Sequence, residues 1–333
     1  MSRQLGLARR QSTRRLYQAK WAVYRRWCMA QGHSISRPSL PKVADFLVYL
    51  HQSKGLSPSA IKGYRSMLSL VFRSSLPAIS TSSVIRDLIR SFCIARPRAS
   101  LAPPSWDVEA VLRSLRESPY EPLETCEFRA LSIKTLFLVA LATAKRVGEL
   151  QALSFRVARA GQDLILSYLP EFVAKTESSD NPIPRSFPLK SLGDFVGDLE
   201  DEMLLCPVRA LSTYLRRTSD IPGRPRALFV SPRNARRPLS KNGLSFLIRS
   251  LIRSAGALGA AEGPAPRAHS VRAVATSIAF AKNVPVSRVL EAGTWRSNTV
   301  FASFYLRDMA TSIGGISSLG PIVSGGGVVG HNE

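Results

Sequence analysis

The stretch Arg267-Ala-His269-Ser-Val-Arg272-Ala-Val-Ala-Thr-Ser-Ile-Ala-Phe280 decides how this chain is read. Val271, Val274, Ala275 and Ile278 recur at helical spacing and predict one apolar face. At about 100° per residue, His269 and Arg272 fall together on the roughly opposite side. Both sit in the first turn, after the breaks at Pro264 and Pro266. Free backbone N–H groups and the helix dipole favour an anion there. A solvated polar face gives the same pattern, and His-x-x-Arg spacing alone is common. Scarcity sets it apart, since the chain has only four histidines, His33, His51, His269 and His331.

Working outward, Trp295 and the aromatic run Val300-Phe301-Ala-Ser-Phe304-Tyr305 follow downstream. The bland reading of Tyr305 is a core tyrosine. The chemical one is a nucleophile, which needs cations nearby because a phenol ionises only near pH ~10. Upstream, Lys145-Arg146-Val-Gly-Glu149-Leu150 follows a long apolar stretch, which places Arg146 at an interhelical corner. Glu149 is positioned to orient a neighbouring segment, and a structural salt bridge is the alternative for Arg146. Lys175 stands at an expected β-turn, where a lysine can protonate a leaving oxygen. Lys190 and Lys145 compete for that role, and a solvated lysine is the plain alternative for each.

The charge balance is uneven. The chain carries 46 Lys and Arg against 23 Asp and Glu. Residues 1–100 hold 18 basic and 2 acidic side chains, a local charge of +16. Like charges so poorly relieved are the footprint of a polyanion binder rather than of a merely soluble surface. Cys28, Cys93, Cys126 and Cys206 are widely spaced, with no zinc signature and no disulfide framework. The longest apolar run, 136–142, is far short of the ~20 residues that span a membrane. With an Arg-rich, non-apolar N-terminus, the chain is expected to be intracellular, and nuclear if eukaryotic.

Residues 1–94 read as a helical DNA-binding domain. Tyr17, Trp21, Tyr24 and Cys28 form one stripe, stopped at Gly32. Pro41 opens a second helix. Ser57-Pro58 caps a third, and Ser82 or Ser83 caps a fourth. Aromatic side chains at this spacing are more often core than DNA contacts. Residues 95–105 read as a linker, 106–312 as a catalytic domain and 313–333 as a flexible Gly-rich tail. In the second domain, 128–143 is expected to be a buried helix. Strands are expected at 163–168, at a segment ending Val173-Ala-Lys175, and at 185–189, with 176–181 turning between the last two. Helices are expected from Pro207 and over 239–252.

Taken in chain order, these residues resemble the tyrosine recombinase (integrase) superfamily. The stretches 269–280 and 294–308, with Phe172-Val-Ala-Lys175 and Leu205-Cys-Pro-Val-Arg-Ala-Leu211, are most similar to recombinases of DIRS-type (Ngaro-like) retrotransposons. The resemblance implies a mainly α fold: an N-terminal helical core-binding (SAM-like) domain and a mainly helical catalytic domain with a small antiparallel β-sheet. It implies Arg146 as first catalytic arginine, Lys175 as hairpin lysine and general acid, and His269 and Arg272 as the His-x-x-Arg pair. Trp295 takes the position where the family uses His or Trp, and Tyr305 is the nucleophile. The implied activity is cleavage and rejoining of double-stranded DNA through a 3′-phosphotyrosine, with no metal or cofactor, by a protein that self-associates as dimer or tetramer on DNA. Type IB topoisomerase-like relaxation and a catalytically silent DNA-binding descendant are the alternatives. The Trp295 to Tyr305 step is one residue longer than the commonest bacterial spacing, and the tail is Gly-rich rather than amphipathic.

Overall fold

The computed structural model describes residues 11–97, 106–175, 177, 182–193, 203–256, 267–281 and 284–293. The chain divides into two compact units, Met1–Ser100 and Leu101–Glu333, each with its own core.

The described part of the first unit is helical. Its elements are α1 (Gln11–Ala30), α2 (Leu40–Gln52), α3 (Pro58–Val71), α4 (Ala78–Thr81) and α5 (Ser83–Ala95). Local chemistry sets their ends. α1 gives way to Gly32, whose φ of +63° lies in the left-handed region that glycine adopts at little cost. The Ser57 hydroxyl accepts from the Ala60 N–H, and Pro58 occupies the first turn of α3. Ser82 caps α5 by accepting from Ile85. The short α4 is an element that apolar spacing does not reveal. Tyr24, Phe46, Leu47, Leu50, Ile61, Leu68, Ile85 and Phe92 form the core, each contributing roughly 1.5–3 kcal/mol by leaving water. The aromatic stripe faces inward: Tyr24 sits edge-on to Phe46 at 5.1 Å and Trp27 lies 5.2 Å from the same ring.

The second unit is built around α7 (Phe128–Thr143), a helix apolar on nearly every side and buried along most of its length. α6 (Val108–Ser114) precedes it, and α8 (Val147–Gln151) follows after a sharp corner. α9 (Pro207–Thr218), α10 (Lys241–Ser254) and α11 (Ala268–Ala281) all pack on α7, and α12 (Val286–Gly293) packs on α11. The one lysine inside α7, Lys134, is wholly buried. It survives there because its ammonium donates to the Leu115 carbonyl at 2.6 Å and pairs with Glu121, which also receives Arg209 through both oxygens at 2.7 and 3.0 Å. The Trp106 indole N–H donates to the Ser270 hydroxyl at 2.8 Å, tying the start of the unit to α11.

A small antiparallel sheet of order β1-β2-β3 comprises β1 (Ala158–Ala160), β2 (Asp163–Ser167) and β3 (Ser186–Leu189). Its register pairs Ile165 with Ala158 on one side and with Pro188 on the other. A two-stranded sheet, β4 (Val230–Ser231) and β5 (Asn234–Pro238), precedes α10. The segment Phe172–Lys175, expected to end a strand, is a loop instead. Glu177 folds back to accept from the Ala174 N–H at 2.7 Å and pairs with Arg185 at 3.2 Å, while Arg185 donates to the Phe172 carbonyl at 2.6 Å. The local backbone is thereby held by side chains, not by a ladder. The expected 313–333 tail lies outside the described residues. Among the described residues, no helix is long and apolar enough to cross a membrane, and no group of three or more His, Cys, Asp or Glu is placed to hold a metal ion.

Candidate active site

The corner between α7 and α8 sets the site. α7 ends at Ala144, the one described non-glycine residue with positive φ, at 48°. That conformation is worth roughly 1–2 kcal/mol of strain for a residue with a Cβ. It turns the chain so that Arg146 becomes the N-cap of α8 and the Ala144 carbonyl accepts from Arg272 Nη1 at 2.9 Å.

Glu149 is the hub beneath the corner. Its carboxylate accepts from the Arg146 backbone N–H at 2.8 Å, closing the first turn of α8, and from Arg146 Nη1 at 2.8 Å. Arg272 Nη1 approaches the same carboxylate at 3.7 Å. One buried carboxylate therefore registers an arginine from the α7–α8 corner against an arginine from α11, 126 positions on in the sequence.

The helical-wheel expectation for α11 needs correction. His269 is exposed, but Arg272 is buried, at 3% exposure, alongside Val271 and Thr276. The two do not share a solvated face opposite the apolar one. Arg272 tolerates burial because the Ala144 carbonyl and Glu149 meet its guanidinium. Its charge acts from underneath, while Arg146, whose side chain is 21% exposed, faces outward with His269 and Lys175.

Electrostatics place these groups in one field. The His269 imidazole is pushed below the usual histidine range, first by partial burial, then by Arg272, Arg146, Lys175 and Arg267. Four cations, from the corner, the β2–β3 connection, α11 and the residue before it, thus act on one ring. Lys145 is buried, and its pKa is pushed down to about 8, chiefly by burial. Glu149 opposes that shift, Arg272 and Arg146 add to it, and Glu291 opposes it. Lys190 is engaged elsewhere, its ammonium 2.6 Å from Asp163 across β2 and β3. Tyr168 is buried, feels Glu149, Arg272 and Arg146, and has a hydroxyl without a hydrogen-bond partner among the described residues. Nothing in the spacing of the sequence marks Tyr168 or Ala144. Glu149 is legible only as three residues beyond an arginine. Trp295 and Tyr305 lie outside the described residues.

Solved structures share this architecture. A lambda integrase (75–356) dimer bound to a COC′ core site is 17% identical, covering 89% of each chain, with a TM-score of 0.50. A lambda integrase tetramer bound to a Holliday junction is 18% identical over 89% of this chain and 72% of that one, at 0.50. The XerH site-specific recombinase in a post-cleavage complex on difH is 17% identical over 81% and 70%, at 0.50. The fold is that of the tyrosine recombinases. No protein-family model and no curated protein sequence matches the chain. Within the recombinase fold, a cluster of two guanidinium groups, an imidazole and an ammonium suits a phosphodiester. Planar guanidinium groups bind non-bridging oxygens and gain strength as charge develops on them.

Proposed function

We propose that this protein is a DNA strand-exchange enzyme of the tyrosine recombinase type. The gathering of Arg146, Lys175, His269 and Arg272 into one positive field, on a fold shared with DNA-bound integrases, is the observation that carries the reading. Tyr305 supplies the nucleophile. Its phenolic oxygen forms a bond to phosphorus as the bond from phosphorus to the 5′ oxygen breaks. Lys175 gives a proton to the leaving 5′ oxygen. His269, held neutral by its surroundings, takes the phenolic proton. Arg146 and Arg272 stabilise the pentacoordinate transition state, and Trp295 donates its indole N–H to a phosphate oxygen. A 5′-hydroxyl from another strand then attacks the 3′-phosphotyrosine, rejoining DNA and restoring the phenol. The covalent link conserves the bond energy through the exchange.

The basic first unit supplies the DNA-binding face. Self-association on DNA follows the lambda integrase dimer and tetramer. The stretches 269–280 and 294–308 favour integration of a DIRS-type mobile element as the biological setting. The test is a nicked suicide duplex, tiled across DNA flanking the coding sequence, that traps the covalent intermediate. Wild type is expected to give a protein–DNA adduct and Tyr305→Phe none. No adduct from wild type, or an adduct that survives Tyr305→Phe, refutes the reading. Supercoil relaxation without recombinant products would select a topoisomerase instead.

A further inference from the structure

We infer that Lys145 is a positioning residue for DNA cleavage, pinning the β2–β3 hairpin and the last turn of α12 to the arginine corner. This deepens the recombinase reading and rests on it. Lys145 stands between Ala144, whose carbonyl receives Arg272, and Arg146 itself. Its own ammonium leaves that corner in two directions. It donates to the Ala292 carbonyl at 3.0 Å, close to the end of α12. It also lies 4.4 Å from the centroid of the Phe187 ring on β3. β3 is the arm that follows the connection bearing Lys175, and Trp295 comes three residues after Ala292 in the sequence. One side chain of the arginine corner therefore meets two other parts of the chain: β3, which follows the connection bearing Lys175, and the end of α12, which precedes Trp295 in the sequence.

The choice of lysine supports this role. Burial and two neighbouring arginines disfavour the charge. An apolar side chain of similar length would fill the space without that penalty. It would offer neither a donor for the Ala292 carbonyl nor a cation for the Phe187 ring. Lys145 is not offered as the proton donor, since it is buried and its ammonium is taken up by these two contacts.

The experiment compares wild type, Lys145→Met, Lys145→Arg and Phe187→Leu on the nicked duplex, measuring single-turnover cleavage, DNA affinity and thermal midpoint. Lys145→Met should slow cleavage by about 10- to 100-fold, as small misplacements of reacting groups do, with DNA affinity unchanged. Lys145→Arg, which keeps donor and charge, should recover most of the rate. Phe187→Leu should slow cleavage in the same direction, and adding it to Lys145→Met should cost little more. Cleavage by Lys145→Met at the wild-type rate overturns the inference. So does a parallel fall in rate, affinity and midpoint that Lys145→Arg fails to restore, which marks a merely structural lysine. If Lys145→Met does not fold, Phe187→Leu decides, and an unchanged cleavage rate there overturns the inference. If wild type itself yields no adduct, the recombinase reading fails and Lys145 has no cleavage step to position.

Discussion

Replacing Glu149 by glutamine isolates the electrostatic part of the hub. The amide keeps the size of the carboxylate and one oxygen that still accepts the Arg146 backbone N–H. The charge is lost. At present that charge receives Arg146 Nη1 at 2.8 Å and faces Arg272 at 3.7 Å, with Glu149 and Arg272 each 3% exposed. A charge-assisted bond contributes roughly 1.5–3 kcal/mol and a neutral one roughly 0.5–1.5, so the direct bond loses about 1 kcal/mol. The larger part comes from Arg272. Removing one partner of a buried ion pair costs about 3–5 kcal/mol, because the other charge keeps its desolvation penalty. Glu149→Gln is therefore expected to destabilise the corner by about 3–5 kcal/mol. Hydrogen exchange read by mass spectrometry reports it locally. Amides of α7 and α8 should exchange on the order of 10²–10⁴ times faster, given a tenfold change for each ~1.4 kcal/mol. Peptides from α1 to α5, which belong to a separate core, should be unchanged and serve as the control. Exchange over 128–151 within about threefold of wild type, under 1 kcal/mol, would refute the hub.

Further predictions concern single groups. Because the folded-state pKa of His269 is lowered, the folded protein binds that proton less readily than the unfolded chain. Its contribution to stability is complete above the unfolded value and lost as pH falls through the interval down to the folded one; an imidazole NMR midpoint below that of an unfolded histidine, moving up in Lys175→Ala, is expected, and a midpoint at or above it contradicts the clustering. Tyr168→Phe removes a buried hydroxyl that has no partner among the described residues, so urea unfolding should show a gain of about 1 kcal/mol, and a comparable loss would show the hydroxyl is used. Ala144→Gly should relieve about 1 kcal/mol of left-handed strain, checked by the same hydrogen exchange across α7 and α8; faster exchange there would mean the alanine methyl matters more than its φ. DNA affinity should fall with salt at a log–log slope of about −5 to −9 if roughly 6–10 phosphates are contacted, and a flat dependence would remove the basic face from DNA binding.

The helices were legible where periodicity and caps agreed. Ser57-Pro58, the apolar run 128–143 and the 269–280 stretch each carry a start signal or a length that only a helix satisfies. β1 and the β4–β5 pair were not, because strands of two to five residues with mostly exposed side chains have no alternation to read. Phe172-Val-Ala reads as strand from its apolar, branched residues, yet Val173 is 52% exposed and the fold there is fixed by Glu177 and Arg185. At the site, residue types were legible and environment was not. A helical wheel assigns every arginine to solvent. The groups that make Arg272 stable in the interior, the Ala144 carbonyl and Glu149, lie more than a hundred positions away in the sequence. Lys145 likewise reads as one of three interchangeable lysines until Ala292 and Phe187 are seen around it.

The bond from Trp106 to Ser270 has a consequence for the order in which the protein matures. The described core of the first unit is formed by residues that end at Cys93, within helices that end at Ala95. The second unit brings its first described residue against one that is synthesised 164 positions later. At about 5–20 residues per second, the ribosome needs roughly 10 to 35 s to travel from Ala95 to Ser270. During that interval the basic helical unit can be complete while the arginine corner, already made, still lacks Arg272. On the proposed function, the basic unit would thus be available to DNA on a nascent chain before Arg272 joins the corner, so that the two parts come into being at different times by chain order alone.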